Sequence, residues 1–77
     1  MPYETIIWTD ANVPHLAAHG VTQDEFEQAL VSAVAIEQSR SSDRMVAFGY
    51  TTTGRRLACV YEIVDELTIH PITAYEV

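Results

Sequence analysis

The sequence predicts an α+β fold, with two N-terminal helices packed on one face of a three- to four-stranded antiparallel sheet. Three observations predict it. Apolar runs at residues 45–50, 55–63 and 67–75 are separated by short turns, which is the pattern of an antiparallel meander. Thr22-Gln23-Asp24-Glu25 is a capping box that opens a helix. Everything before residue 40 reads as helix or connection and needs a sheet to pack on.

Residues 3–8 are β-branched and aromatic, so they fit a short edge strand or an extended arm. Thr9-Asp10 offers a helix N-cap. Pro14 is tolerated only in a first turn, so the helix starts near Asn12 or Val13. Gly20 can take the left-handed conformation that ends it. The second helix runs from Gln23 to about Ser32. Phe26, Ala29, Leu30 and Ala33 form its apolar face, with Glu27 and Gln28 on its wet side. The step from His19 to Thr22 is a tight helix–turn–helix corner. It does not point to DNA reading, because Asp24, Glu25 and Glu27 would repel phosphate.

Residues 34–38 fit a short strand and residues 39–43 a polar loop. Residues 44–51 form a strand in which Gly49 marks a bulge or a close contact. A turn at residues 51–54 leads into the central strand, residues 55–63. The last strand, residues 67–75, is broken by Pro71, which marks an edge or a bulge. A bulge there could bring Leu67, Ile69, Ile72 and Ala74 onto one face and His70, Thr73 and Tyr75 onto the other.

Seventy-seven residues make one domain, 1–77, with a thin core: a chain this short buries roughly 60% of its unfolded surface. Such a domain often leans on a partner or on homo-oligomerisation. Cys59 is the only cysteine, so no internal disulfide forms, and its place in the central strand predicts a buried thiol. The chain shows neither a signal peptide nor an apolar run near membrane-spanning length, so a cytoplasmic protein without membrane contact is expected. A net charge of −7 excludes nonspecific coating of nucleic acid. There is no lysine, and all four arginines (Arg40, Arg44, Arg55 and Arg56) lie close together in sequence. Two readings follow: solvated arginines on a hairpin, or a local cationic patch suited to a phosphate or a partner's carboxylates.

Arg55 and Arg56 point to opposite faces of a strand, so at most one serves any one site. A forked guanidinium is a good transition-state clamp on phosphate. The plain alternative is an ion pair with Glu62, Glu66 or Asp43. His70 could act as a general acid or base. Tyr75 could orient a ribose or stack on a base. Tyr61 could do the same or fill the core. His15 and His19 lie four apart on one helix and could hold zinc if His70 or Asp10 joined them. The hydrolase Glu between them is missing and no cysteine pair is available, so neither a metal nor another cofactor is expected. Their plain reading is an exposed helix residue and a helix cap. No Ser-His-Asp spacing, phosphate loop or dinucleotide fingerprint is present.

Trp8-Thr9-Asp10, Asn12, His19-Gly20-Val21, Phe26, Ala29, Gly49, Gly54-Arg55, Leu57, Val60-Tyr61 and Ile72-Thr73-Ala74 resemble, in order and over nearly the whole chain, the BrnT toxin family. The resemblance implies a RelE-like fold and the toxin half of a type II toxin–antitoxin pair. It implies a metal-independent ribonuclease in which the ribose 2′-hydroxyl attacks the adjacent phosphate. It also implies an antitoxin partner of the ribbon-helix-helix type. The sequence departs from the family at Ala18, where a lysine is usual, at Tyr75, where an arginine is usual, and in its acidity. Catalysis would then rest on Arg55, Arg56 or Arg44 (or Arg40), with His70 or Tyr75 handling protons. The alternative is a catalytically silent relative that keeps the fold and acts as a protein-binding module.

Overall fold

The structure is a computed structural model that describes residues 3–39 and 43–77. The elements run β1 (Thr5–Ile6), α1 (Asn12–Ala18), α2 (Gln23–Val31), β2 (Ala35–Gln38), β3 (Arg44–Tyr50), β4 (Arg56–Asp65) and β5 (Thr68–Glu76). Arg40 and most of the loop expected at 39–43 lie outside the described residues.

The strands form one sheet in the order β1-β5-β4-β3-β2. The β2-β3-β4-β5 part is the expected antiparallel meander. The sheet differs from expectation in having five strands and mixed pairing, because β1 joins β5 in parallel. β1 contributes only two residues. The amides of Glu4 and Thr5 donate to the Leu67 carbonyl and that of Ile7 to Ile69. A parallel neighbour needs a long crossover, and here most of the chain lies between the two strands.

Asn12 ties that first segment down. Its Oδ1 accepts the Thr9 amide at 2.8 Å, and its Nδ2 donates to the carbonyls of Ile7 at 2.9 Å and Pro71 at 3.2 Å. The side chain is buried, and these three bonds satisfy it. The N-cap of α1 is Ala11, which makes no side-chain cap bond, rather than the expected Thr9 or Asp10. Thr9 braces the turn before it, its Oγ1 accepting the Ala11 and Asn12 amides and its carbonyl the Val13 amide. His19 closes α1 as its C-terminal cap. Gly20, at φ +73°, turns the chain toward α2. The capping box is fully formed, with Thr22 Oγ1 accepting the Glu25 amide and Glu25 Oε1 accepting the Thr22 amide.

Helix α2 lies directly against the sheet through Phe26, Ala29 and Leu30, all nearly inaccessible. Gly49 permits this approach: a Cβ at that position would sit 1.8 Å from the Ala29 carbonyl oxygen. On the same face Leu57, Cys59, Tyr61, Ile69 and Ala74 complete the core with Leu16 and Val21. Each large apolar side chain buried there contributes about 1.5–3 kcal/mol. Trp8 packs edge-on to Phe26, with ring centroids 5.4 Å apart.

The β5 strand carries the irregularity that Pro71 predicts. The register steps from Val60↔Thr73 to Tyr61↔Pro71, leaving Ile72 as the extra residue. Ile69, Pro71 and Ala74 face the core, while Ile72 is only half-buried. Leu67 is 45% exposed in the preceding turn, so it does not share the core face as expected.

Candidate functional site

Strand alternation divides the candidate residues between the two faces of the sheet. Leu57 points at the helices, so Arg56 beside it faces away from them, while Arg55, two positions before it, lies on the helix side. Arg55 precedes β4 and reaches back to the helix corner. Its Nη1 lies 2.6 Å from Glu25 Oε2 and 3.1 Å from the Gly20 carbonyl, and its Nε lies 3.2 Å from Glu76 Oε1. These partners replace the expected Glu62, Glu66 or Asp43. The carboxylate they come from is set by how α2 and the end of β5 pack, not by cross-strand register. Glu25 is held below the usual carboxylate range chiefly by the Thr22 backbone hydrogen bond, with desolvation opposing it and Arg55 adding to it. Arg55 is raised in turn, chiefly by its hydrogen bond to Glu25. This guanidinium has two carboxylate partners and a carbonyl, which makes it a latch between the helix corner and the sheet.

Arg56 points to the other face, which no helix among the described residues covers. It stands opposite Tyr50 on β3, and its guanidinium carbon lies 5.6 Å from the Phe48 ring centroid. One step along, Ala58 lies between Phe48 on β3 and Tyr75 on β5. Ala58 is inaccessible although it faces away from the helices, because these two rings flank it. Tyr50 and Tyr75 are 46% and 42% exposed. The result is an arginine set among three aromatic rings at one end of the open face.

Further along that face, Val46, Val60 and Thr73 form the next row, then Arg44, Glu62 and His70. Arg44 Nε lies 3.5 Å from Glu62 Oε1. Six residues of strand at about 3.3 Å each put this row roughly 20 Å from Arg56. Of the five sequence candidates, Arg56 and Tyr75 therefore share one end of the open face, Arg44 and His70 share the far end, and Arg55 stands apart. Phe48 and Tyr50 belong with Arg56 but were not singled out. Their signal was available: the hairpin turn at residues 51–54, once closed by Thr51 and Arg55, pairs Tyr50 with Arg56.

The remaining candidates are structural. Tyr61 is fully buried, its hydroxyl 3.3 Å from that of Tyr3, and burial raises its pKa well above the ordinary phenol value. The Cys59 thiol is buried as expected and is pushed up to about 12 by desolvation. The His15 and His19 rings lie 5.7 Å apart. His15 and His70 border a small cleft of about 220 Å³. Among the described residues no group of three or more His, Cys, Asp or Glu side chains is placed to hold a metal ion.

The architecture of two helices on one face of this sheet matches a solved structure, that of the Brucella abortus ribonuclease toxin BrnT. The TM-score is 0.76, and the match covers 95% of each chain at 21% sequence identity. This chain has the BrnT fold. No family model matches it, and no curated protein matches it. The likeness to BrnT is one of fold. The open face of the sheet, free of helices, is where a BrnT-like scaffold presents Arg56 and its three aromatic neighbours.

Proposed function

We propose that this chain is a BrnT-like toxin that binds single-stranded RNA on its open sheet face and cleaves it without metal at Arg56. The observation that carries the reading is the Arg56 guanidinium among Phe48, Tyr50 and Tyr75 on a scaffold shared with a ribonuclease toxin. Aromatic rings on a sheet stack unpaired bases, and a planar guanidinium grips a phosphate through two parallel hydrogen bonds.

The chemistry needs little else. The ribose 2′-hydroxyl loses its proton to solvent water as its oxygen forms a bond to the adjacent phosphorus. The bond from phosphorus to the 5′-oxygen breaks, and that oxygen takes up a proton. The products are a 2′,3′-cyclic phosphate and a free 5′-hydroxyl. Negative charge builds on the non-bridging oxygens at the crowded phosphorus, and Arg56 is the group to stabilise it. Tyr75, across from Ala58, is the proton donor within reach of that phosphate. His70, roughly 20 Å away by strand rise, is not. Arg55 does not contribute, because Glu25 and Glu76 already engage it.

A toxin of this kind acts in the cytoplasm and is held silent by an antitoxin. Among the described residues no helix is long and apolar enough to cross a membrane, which fits that reading. One observation favours the alternative of a silent, protein-binding relative: among the described residues Arg44 pairs with Glu62 and Arg55 with Glu25 and Glu76, which leaves Arg56 on the open face as a sparse cationic set for a ribonuclease.

Induced expression in a bacterial host, with growth followed and RNA ends mapped, separates the two readings. Growth arrest with new 5′-hydroxyl ends, lost in Arg56→Ala and retained in Glu62→Gln, is the expected result. Normal growth with abundant folded protein would overturn the toxin reading and leave the silent one.

A further inference from the structure

The acidic body has one apolar opening whose chemistry suggests its occupant. Between α2 and the turn after β3 lies a groove of about 610 Å³. Asp24, Glu27, Gln28 and Val31 line it, and these positions (i, i+3, i+4, i+7) form one stripe along α2. Tyr50, at the end of β3 where the groove meets the open face, borders it on the other side. The floor is rigid: Gln28 Oε1 accepts the Thr52 amide at 2.9 Å, and Ser32 Oγ both accepts the Tyr50 amide and donates to its carbonyl.

The walls are apolar and open to water. Val31 is 62% exposed and Tyr50 46%. At the other end of the same stripe stand two carboxylates, Asp24 and Glu27, and among the described residues no cationic side chain lines the groove. Apolar walls with an acidic end, on a chain of net charge −7, are complementary to one kind of ligand. That ligand carries apolar and cationic side chains on the same face. The stripe spans seven residues of helix, about 10 Å at 1.5 Å per residue, which matches two turns of a partner helix.

We propose that this groove docks a short cationic, amphipathic helix of a partner protein, its apolar side chains against Val31 and Tyr50 and its cations against Asp24 and Glu27. The inference rests on the partner half of the reading above and adds where that partner sits and what it looks like. Tyr50 is the cross-strand neighbour of Arg56, so a helix in this groove also crowds the end of the open face that holds Arg56. One surface would then serve both recognition and silencing.

The test uses the full chain, isotope-labelled, and a synthetic amphipathic helix of leucine and lysine as probe. A leucine–glutamate helix is the control. No RNA is present, so failure of RNA cleavage leaves this experiment standing, and failure here leaves the cleavage reading standing. The expected result is amide shifts confined to the α2 stripe and Tyr50, and no binding of the control. Affinity should fall about tenfold or more in both Glu27→Arg and Val31→Asp, the size of losing one anchor at an interface. Both positions are on the helix surface, and the amide spectrum of each variant shows whether it is folded. Shifts spread over the whole acidic surface, with unchanged affinity in both variants, would overturn the proposal in favour of nonspecific charge attraction. Concentration-dependent dimerisation of the free chain, lost in Val31→Asp, would overturn it in favour of a second copy.

Discussion

Gly49→Ala tests the contact that seats α2 on the sheet. The added Cβ would meet the Ala29 carbonyl oxygen at 1.8 Å, the carbonyl carbon at 2.7 Å and the Cα at 3.1 Å. All three are backbone atoms, so no side chain can swing aside. Restoring an ordinary 3.4 Å contact to the oxygen requires the helix and strand to separate by about 1.6 Å. A gap of about 0.5–1 Å already forfeits a quarter to a half of each dispersion contact. Phe26, Ala29 and Leu30 would lose that contact together. Overpacking of this kind costs about 3 kcal/mol, the upper end of its usual range. Set against roughly 4–12 kcal/mol for 77 residues at typical stability per residue, that is a large share. At about 4–8 °C per kcal/mol for a domain this size, the melting temperature should fall by roughly 12–24 °C. Thermal unfolding followed by circular dichroism measures it. Gly20→Ala is the control: its Cβ meets nothing within 4 Å, and only the backbone strain of φ +73° opposes it, about 1–2 kcal/mol. A Gly49→Ala melting temperature within about 4 °C of the parent, less than 1 kcal/mol, would refute the close approach of α2. So would a larger loss in Gly20→Ala.

Arg55→Ala should lower the melting temperature while leaving RNA-end formation unchanged, and Arg56→Ala should do the reverse. Unfolding curves and RNA-end maps of both variants check this. Glu25 is ionised more readily folded than unfolded, so its contribution is fully present above its unfolded value of 4.5 and is lost as pH falls below that. Stability measured against pH should therefore fall below about pH 4.5, and Glu25→Gln should flatten part of that slope. Cys59 should resist a thiol reagent in the native protein at neutral pH and react once denaturant exposes it, because burial blocks access and disfavours the thiolate. Rapid native labelling would contradict its place beneath α2.

The parts of this fold that were legible in the sequence are those carried by local signals. The capping box at Thr22 and Glu25, the turn glycines Gly20 and Gly54, and the apolar spacing of Phe26, Ala29 and Leu30 each act over a few residues. Gly49 and Cys59 were legible because a glycine or a lone cysteine in a strand pattern has few uses. Pro71 announced the bulge but not which residue it would displace, since Ile72 and Ala74 are equally apolar. Residues 3–8 were legible as a short edge strand or arm, but their place as a fifth, parallel strand was not: β1 pairs through two residues to a strand more than sixty positions away. The buried role of Asn12 was missed for a similar reason, as one of its partners is Pro71.

The site divided along the same line. That Arg55 and Arg56 diverge follows from strand alternation alone. Which of them is free for a ligand depends on Glu25 and Glu76, which lie 30 and 21 positions from Arg55. That Tyr75 shares the Arg56 end of the open face while His70 does not depends on the register through the bulge at Ile72. Long-range pairing decides these, and it leaves no mark on a single sequence.

The central claim is that Arg56 and its aromatic neighbours cleave RNA without metal. The most direct test is a single-turnover assay of purified protein on a labelled single-stranded RNA in excess chelator. The account predicts products with 2′,3′-cyclic phosphate ends from the parent and from Arg44→Ala. It predicts a rate lower by about a hundredfold or more in Arg56→Ala, the usual cost of removing one transition-state donor. Equal cleavage by the parent and Arg56→Ala, with both shown to be folded, would contradict it.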